Sequence, residues 1–532
     1  MKSLRILFIV FGVCVESYSQ CQLNNLLTPF GPGDRTMKIV FKACDLKPEA
    51  LTITVYYSEQ RSQLADNNLS NVAAGVASFN RKNDLGEYEY EFIFPHTDFP
   101  TPNRQDKNSI SIKSGKTVFT RVSLRTALVV TPVISDIYEF KMPQKLTIGL
   151  IGDSYGSGEG APMEGDYWTN DACHRSANSG QVKAVKQLKD RNRGVAMAYK
   201  HVSCSGAEID EIFEKKQRTV NGEVPIQFEK LKKWLDDNNY DRLDVLVMSV
   251  GGNDIGLMGL IKDYLYFPIG DLTTDEEIKD DIDDAIKVYL PEAYRQLNNY
   301  IRSNFISSKI LITEYPNPLN GANGLACGDF TLDACGSETP FGEKAEYIYA
   351  RNKVLIPLNN QIKTSATELK WEYVDGPYRS SSFYGICNCD GYFNTLPQSI
   401  YEQGDERGAF HPNVEGQRKM YQPFIFDKLS AVLTQIRAEW QLKRAFDLVV
   451  YRRVAEEELR QAQAYDLKYR ANKEKAAVAS SKLRLFKAKV HDKTLLKKQE
   501  YYQQIKTGPN VKNVKKRTFQ LDKYSVRTLE DN

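Results

Sequence analysis

Four short segments of this sequence contain residue types that together can carry out acyl transfer. Ser154 offers a hydroxyl nucleophile, which is weak near neutral pH and needs a base within hydrogen-bond reach. An imidazole and donors for a developing oxyanion complete the set. In chain order the segments are Gly152-Asp153-Ser154-Tyr155-Gly156-Ser157-Gly158, Ser203-Cys204-Ser205-Gly206-Ala207, Gly251-Gly252-Asn253-Asp254 and His411-Pro412-Asn413. Each alone is a weak signal, but the four in this order predict a serine hydrolase.

His411 is the strongest candidate for the base among five histidines. It comes in a loop before the terminal helical region, where Pro412-Asn413 predicts a turn that can present the ring. The others are His96 in a β-rich region, His491 in a basic tail, and His174 and His201, which lie beside cysteines of an expected disulfide. A supporting role for the last two stays open.

Three groups are candidates for oxyanion donors. Gly206 offers a backbone N–H that a substrate can approach closely because no side chain intervenes. Asn253 follows the flexible Gly251-Gly252 pair and offers a side-chain amide. With the N–H of Ser154 itself, they make a three-donor set of the kind that stabilises a tetrahedral intermediate.

Apolar runs typical of a buried parallel sheet follow Pro143 and alternate with helical stretches. The segments that carry Ser154 and Asn253 come just after two of these runs. Open α/β sheets place their sites at the carboxyl ends of strands, so we predict a catalytic α/β domain over residues 143–430. The runs are Leu146 to Ile151, Asp244 to Val250, Lys309 to Tyr315 and Trp371 to Val374.

Residues 20–142 alternate in hydrophobicity with period two and are punctuated by turns, which predicts a small β-sandwich. The expected strands are Met37 to Phe41, Leu51 to Tyr57, Glu87 to Phe94, Ser109 to Lys113 and Thr117 to Val122. Within residues 87–92, Glu alternates with Tyr or Phe, so the rings fall on one face of the strand. A core is the favoured interpretation of those rings over a sugar-binding platform, and the role of this module stays open.

The amino terminus has the pattern of a secretory signal over residues 1–19. Lys2 and Arg5 precede an apolar run from Ile6 to Val15, and small residues precede the expected cleavage point. Lipid attachment at Cys21 is disfavoured because the usual small apolar run is missing before it. We therefore expect a secreted, periplasmic or cell-surface protein.

Residues 431–532 predict a basic, mainly helical extension. The 84 residues between Pro423 and Gly508 contain no Gly or Pro, which favours long helix. Residues 441–532 hold 23 Lys and Arg against 11 Asp and Glu, although the whole chain carries only +3. A helical hairpin and a coiled coil both fit. The positive charge would suit an anionic cell surface or polymer, but a solvated helical face is the simpler interpretation, and no nucleic-acid partner is expected.

Eight cysteines remain once Cys14 leaves with the signal segment, and an even number in an exported chain favours disulfides over metal. They are Cys21, Cys44, Cys173, Cys204, Cys327, Cys335, Cys387 and Cys389. Cys173–Cys204 is the pairing we expect first. The connectivity of the last four stays open, because pairing neighbours would force a tight Cys387–Cys389 ring. Zinc is the competing interpretation of those four, but their spacing is unlike the usual zinc patterns.

In these segments the chain resembles the SGNH (GDSL-type) hydrolase superfamily, whose conserved blocks contain Ser, Gly, Asn and His. The resemblance covers about residues 145 to 430 and implies a flavodoxin-like parallel sheet with helices on both sides. It also implies Ser154 as nucleophile, His411 as base, and Ser154, Gly206 and Asn253 as oxyanion donors. The nine residues from Gly152 to Gly160, with Cys173 and Cys204 around the second block, are similar to the disulfide-bonded secreted lipase and esterase branch.

One position departs from the superfamily pattern. Members commonly have Asp three residues before the His, and here that position is Gly408. Either a backbone carbonyl near Gly408 orients the His411 ring, as in members with Ser-His dyads, or the carboxylate of Asp405 or Glu406 reaches it. We favour the carbonyl.

The sequence thus predicts hydrolysis of carboxylic acyl esters through an acyl-Ser154 intermediate, with no cofactor and no metal. An esterase or lipase is the first expectation, acting on a small-molecule or lipid ester. An esterase for O-acetylated glycan is the second, because the β module suits a glycan substrate. A non-enzymatic surface-binding protein with a relic hydrolase domain is the alternative from another class.

Overall fold

The computed structural model describes most of residues 145–443 and shorter stretches on either side. The described residues are 23–27, 35–42, 51–65, 69–82, 87–95, 117–126, 129–135, 137–141, 145–165, 167–240, 242–257, 259–260, 265, 276–305, 309–327, 343–443, 459–461 and 476–481. The chain divides into two compact units. One comprises Met1–Leu146, Lys189–Ala198 and Leu433–Phe446, and the other Thr147–Leu188, Tyr199–Val432 and Asp447–Asn532.

The amino-terminal module consists of two antiparallel sheets. One has the strand order β1-β2-β6-β5 and the other β4-β3-β7-β8, with β9 also paired to β7. The strands are β1 Leu23–Leu27, β2 Thr36–Lys42, β3 Leu51–Ser58, β4 Ala73–Val76, β5 Ser78–Lys82, β6 Glu87–Ile93, β7 Thr117–Thr126, β8 Val129–Ile134 and β9 Tyr138–Lys141. The predicted strand from Ser109 to Lys113 lies outside the described residues.

A single apolar cluster draws side chains from both sheets, which is the arrangement of a β-sandwich. On β6 the rings of Tyr88, Tyr90 and Phe92 are buried, as the alternation predicted. The ring of Phe92 lies 5.6 Å from that of Tyr57 on β3. The aromatic face therefore forms core.

A parallel five-stranded sheet of order β11-β10-β14-β15-β16 organises the α/β domain. Its strands are β10 Leu146–Gly152, β11 Met197–His201, β14 Val245–Ser249, β15 Lys309–Thr313 and β16 Glu372–Val374, while β12 Gln217–Thr219 and β13 Gly222–Val224 form a separate hairpin. Every residue of β10 and β14 is buried, which explains why both strands are mostly apolar, with Thr147 and Ser249 as the exceptions. The predicted fold class is confirmed. Strand β11 was not predicted.

Helices follow the strands of this sheet. They are α1 Ser154–Ser157, α2 Gly180–Arg191, α3 Ile209–Phe213, α4 Gln227–Asp237, α5 Glu276–Asp284, α6 Leu290–Asn304, α7 Lys344–Tyr349, α8 Ile356–Glu368, α9 Pro377–Ser380, α10 Leu396–Gln403, α11 Val414–Gly416 and α12 Gln422–Lys443. Single π-helical turns join α5 to α6, α7 to α8, and α11 to α12. A helix able to cross a bilayer does not occur in the described part of the chain.

The carboxy-terminal extension is described only in part. Helix α12 enters it, and residues 459–461 and 476–481 are also helical. The remainder of the predicted extension, and the predicted signal segment, lie outside the described residues. The domain boundaries given above stay predictions.

Two disulfides join described cysteines to one another. Cys173 bonds Cys204, and Cys327 bonds Cys387. Cys389 is also disulfide-bonded. The second bond answers part of the open connectivity, because Cys387 pairs with a residue 60 positions away rather than with its neighbour. Cys21, Cys44 and Cys335 lie outside the described residues.

Replacing Cys173 and Cys204 together by Ser should lower the free energy of unfolding by about 3 kcal/mol. The bond closes a loop of 31 residues, and its loss gives that loop its full freedom in the unfolded chain. Urea unfolding followed by tryptophan fluorescence measures the difference. A change below about 1 kcal/mol would show that this crosslink does not restrict the unfolded state as supposed.

Candidate active site

The nucleophile candidate lies at the end of β10. Asp153 caps the short helix α1 by accepting the N–H of Tyr155 at 3.1 Å, and Ser154 is the first residue of that helix. Ser154 is only 3% exposed, but it lines a cavity. The strand and the tight turn after it therefore fix the position of the hydroxyl before any substrate arrives.

The structure brings the Ser154 hydroxyl to the His411 ring. Ser154 Oγ lies 2.7 Å from His411 Nε2, and His411 Nδ1 lies 3.2 Å from the carbonyl oxygen of Ala409. Because a carbonyl only accepts, Nδ1 must carry the proton and Nε2 must be the acceptor for Ser154. This tautomer is the one that can receive the proton of the serine.

The three candidates for orienting His411, which are Gly408, Asp405 and Glu406, form hydrogen bonds with different partners. The carbonyl of Gly408 accepts the backbone N–H of His411 at 3.0 Å, so the ring is held by the next carbonyl, that of Ala409. Asp405 instead accepts from Gln403 Nε2 and from the backbone N–H of Arg407. The carbonyl of Glu406 accepts the N–H of Ala409.

Gly206 and Asn253 line the same cavity as Ser154 and His411. Gly206 has φ +83°, a left-handed conformation that residues with a Cβ rarely adopt. Asn253 Nδ2 donates to the carbonyl of Ala207 at 3.0 Å. This bond fixes the orientation of the Asn253 amide beside the cavity.

A second contact joins the segments that carry Gly206 and Asn253. The carboxylate of Asp254 accepts the N–H of Ile209, the first residue of α3, at 3.1 and 3.2 Å. Together with the Asn253–Ala207 bond, this ties residues 206–209 to residues 253–254 at two points. The two candidate oxyanion segments are therefore held as one unit.

Tyr315 connects the nucleophile turn with the segment before Asn253. Its hydroxyl donates to Asp153 Oδ2 and accepts the N–H of Gly252 at 2.8 Å. Ser249 Oγ also donates to Asp153, at 3.0 Å. Burial raises the pKa of Asp153 to about 6, although these hydrogen bonds oppose the rise. Hydrogen bonds through the Tyr315 hydroxyl thus link Asp153, which precedes Ser154, with Gly252, which precedes Asn253.

The cavity beside the dyad has a volume of about 280 Å³. Its lining includes Ser154, Gly206, Asn253 and His411. Its other described lining residues are Ser205, Glu208, Glu211, Gln217, Arg218, Thr219, Val220 and Arg407. A nucleophile, its base and two donors thus face one space large enough for a small ester.

Comparison with known families gives one family match. Residues 148–424, just over half of the chain, match the family described as GDSL-like Lipase/Acylhydrolase. The chain belongs to this family. It is an SGNH ester hydrolase, which confirms the resemblance noted in the sequence. Family membership therefore favours the enzyme over the relic surface protein.

Two solved structures are similar over about half of this GDSL hydrolase. Phospholipase A1 from Streptomyces albidoflavus NA297 is 18% identical, with a TM-score of 0.37, over 53% of this chain and 99% of the other. The extracellular lipase from Streptomyces rimosus is 17% identical, with a TM-score of 0.36, over 53% and 98%. No curated protein matches the sequence.

Sequence reasoning assigned no site role to three residues of this GDSL hydrolase that lie in its polar network. They are Glu159, Gln403 and Tyr315. Glu159 lies within the Gly-rich segment that begins at Gly152, and a carboxylate in that segment was the signal that could have indicated it. Nothing local marked Gln403, because its partners lie up to 244 positions away.

Tyr315→Phe should lower kcat about 10-fold and lower the free energy of unfolding by about 1–3 kcal/mol. The change leaves the N–H of Gly252 and one oxygen of Asp153 buried without their partner, so the Asn253 segment loses its support. Steady-state kinetics on a soluble ester and urea unfolding give both values. Tyr421→Phe is the matched control, since that ring also contacts Tyr155 but its hydroxyl faces the carbonyl of Glu314. Equal kcat values for the two variants would contradict the support role.

Proposed function

We propose that this protein is an exported serine esterase that cleaves carboxylic esters through an acyl-Ser154 intermediate. The 2.7 Å contact between Ser154 Oγ and His411 Nε2 carries the proposal. It is supported by the common cavity that both share with Gly206 and Asn253. The catalytic roles below are assigned on this basis.

In the first half-reaction Ser154 Oγ attacks the ester carbonyl carbon while its proton moves to His411 Nε2. The carbonyl oxygen becomes an oxyanion, stabilised by the N–H groups of Ser154 and Gly206 and the amide of Asn253. The carbonyl of Ala409 holds the charged ring through Nδ1. Collapse of the intermediate breaks the bond to the alcohol, which takes the proton from His411 and leaves the acyl group on Ser154.

In the second half-reaction a water molecule replaces the alcohol. His411 accepts a proton from that water as its oxygen attacks the acyl carbon, and the same donors stabilise the second oxyanion. Collapse returns the proton to Ser154 and releases the carboxylic acid. The cycle requires no cofactor.

Export is part of the proposal. The disulfides Cys173–Cys204 and Cys327–Cys387 support an oxidising compartment, because such bonds are rare in reducing cytosol. The signal-like composition of residues 1–19 agrees with this.

Ser154→Ala should abolish hydrolysis of p-nitrophenyl acetate by the purified protein, because the nucleophilic oxygen is removed. Rates of p-nitrophenol release by both proteins provide the measurement. Ser157→Ala is the matched control in the same short helix, since Ser157 Oγ donates to the carbonyl of Ser154 rather than to His411. If Ser154→Ala kept the rate of the unaltered protein, the proposed function would be wrong.

The second candidate function is hydrolysis of short acyl esters on a polar alcohol, such as O-acetylated glycan, and the side chains of the cavity walls support it. Helix α3 and its cap residue contribute Glu211 and Glu208. The β12–β13 hairpin contributes Arg218 and Thr219. The loop that carries His411, called the base loop below, contributes Arg407. Burial raises the pKa of Glu211 to about 7, so this group can donate or accept near neutral pH. Among the described lining residues, Val220 has the only apolar side chain, beside the glycine at position 206. These groups suit the hydroxyls of a sugar better than a long acyl chain.

A substrate comparison tests this candidate. We expect kcat/KM to be at least 10-fold higher for p-nitrophenyl acetate than for p-nitrophenyl palmitate, and acetate to be released from acetylated xylan. Burying an uncharged long chain against charged walls forfeits their solvation, which is the physical reason for the preference. A preference for the palmitoyl ester with no acetate release would instead support the lipase interpretation.

A further inference from the structure

Four polar side chains, three of them buried and that of Asp405 half-buried, form a cluster behind the Ser154–His411 pair. Glu159 is fully buried, and its Oε1 lies 3.0 Å from His174 Nδ1. Gln403 Nε2 donates to that same oxygen and to Asp405 Oδ1, at 2.6 Å each. Asp405 Oδ2 lies 3.6 Å from His174 Nε2. Glu159, His174, Gln403 and Asp405 are called the imidazole cluster below.

The surroundings of His174 in the imidazole cluster favour the doubly protonated, positively charged form of its ring. Nδ1 lies at hydrogen-bond distance from Glu159 Oε1, and Nε2 faces Asp405 Oδ2 at the longer ion-pair distance of 3.6 Å, an arrangement that favours a proton on both nitrogens. A fully buried carboxylate such as Glu159 is strongly disfavoured unless it is paired, and a protonated His174 pairs it. The ring also stacks on Trp168, with centroids 4.5 Å apart, which fixes its plane.

The pKa directions agree with this assignment. Burial alone would lower the pKa of His174, but the charge and hydrogen bond of Glu159 and the charge of Asp405 raise it above its ordinary value, with Arg407 opposing. Burial would raise the pKa of Glu159, and His174 outweighs it, so that pKa is lowered. The two shifts describe one ion pair.

The imidazole cluster is joined to the loop that carries His411. Gln403 Oε1 accepts the N–H of Gly160 at 3.2 Å, and the carbonyl of Gly160 accepts Asn394 Nδ2 at 2.7 Å. Gly160 has φ +82°, and a Cβ there would lie 2.9 Å from His411 Cβ. The turn that follows Ser154 therefore lies directly against the base, at a separation that Glu159 and Gln403 help to set.

The imidazole cluster is also connected, through the Cys173–Cys204 disulfide, to the segment that carries Gly206. His174 directly follows Cys173, which is bonded to Cys204, and the carbonyl of Cys173 accepts the N–H of Ser205 at 3.0 Å. Ser205 precedes Gly206. One buried histidine thus lies between the nucleophile turn, the base loop and a candidate oxyanion segment.

We propose that protonated His174 is a positioning residue, which locks Glu159 and Gln403 and thereby holds His411 against Ser154, so that loss of its proton at alkaline pH lowers kcat. The proposal rests on the proposed function for the roles of Ser154 and His411. His174 does not touch the reacting atoms and acts only through the contacts above.

A bound metal ion explains the imidazole cluster less well than a protonated His174 does. Glu159, His174 and Asp405 have ligand atoms within 4.8 Å of one another. However, the Gln403 amide nitrogen donates to both carboxylates, and His174 directs both of its nitrogens at them. These donors already use Glu159 Oε1 and Asp405 Oδ1, two of the oxygens that a cation would need.

The first test is the pH profile of kcat for His174→Gln. In the unaltered protein kcat should fall as pH rises through the pKa of His174. In the variant kcat should be about 10- to 100-fold lower at pH 7, with little change in KM, and the alkaline fall should be absent, because an uncharged amide cannot lose the proton. His201→Gln is the matched control. Burial lowers the pKa of His201 to about 3 and its Nε2 faces the carbonyl of Gly156, so this variant should keep the alkaline fall.

The free energy of unfolding should also decrease as pH rises, in the same direction as kcat. The folded pKa of His174 is raised, so its contribution is complete below the unfolded value of 6.5 and disappears as pH rises through the folded value. The alkaline decrease in unfolding free energy should therefore be smaller in His174→Gln. An alkaline fall in kcat that persists in that variant would overturn the proposal.

The second test does not depend on activity or on the variant being well folded at every pH. Nitrogen-15 NMR of the histidine-labelled full chain distinguishes a doubly protonated ring from a neutral one. We expect the His174 ring, assigned by its absence in the His174→Gln spectrum or by contact with Trp168, to remain doubly protonated at pH 7. A neutral His174 at pH 7 would refute the proposal even if Ser154→Ala abolished hydrolysis, whereas a charged His174 with an active Ser154→Ala would refute only the proposed function.

Discussion

The proposed chemistry depends on one hydrogen bond between residues that are 257 positions apart, from Ser154 Oγ to His411 Nε2. Such a bond gains little free energy by itself, about 1 kcal/mol, and cannot hold two chain segments together. It is maintained by backbone geometry on each side. Asp153 caps the helix that begins at Ser154, and the carbonyl of Ala409 fixes the tautomer and the plane of the ring. Since both partners are almost completely buried, their alignment exists before substrate binds.

In this site, the group that orients the His411 ring is not the group that compensates its positive charge. In a Ser-His-Asp triad, the carboxylate both orients the imidazole and compensates its positive charge. Here a neutral carbonyl orients the ring, and the nearby buried carboxylate of Glu159 is paired with His174. The negative charge of Glu159 still lowers the energy of a protonated His411 across space, and the interaction is mutual, since His411 also lowers the pKa of Glu159. Orientation and charge compensation are thus carried by different residues.

The sequence predicted what is local and repeated, and could not predict what joins distant segments. Strands β10 and β14 are buried on both faces, so their apolar runs identified them. Strand β11 was missed because only Met197 among its residues is fully buried, which leaves no continuous apolar run. The Ser154 and His411 segments were recognisable as motifs. The contact of Tyr315 with Asp153 and that of Gln403 with Glu159 join positions 162 and 244 apart, and no periodicity encodes them. A carbonyl near Gly408 was the favoured orienting group, yet only coordinates identify it as that of Ala409.

Two opposed effects meet when His174 loses its proton. Glu159 would then be an unbalanced negative charge near His411, which favours the charged form that this ring takes during the reaction. The same event leaves a buried carboxylate unpaired beside Gly160, whose backbone packs against His411 Cβ. A displacement of about 1 Å in such a contact costs on the order of a hundredfold in rate. The contacts that Gly160 makes with Gln403 and with His411 are those that set the place of His411, so we infer that the imidazole cluster acts on catalysis mainly through position.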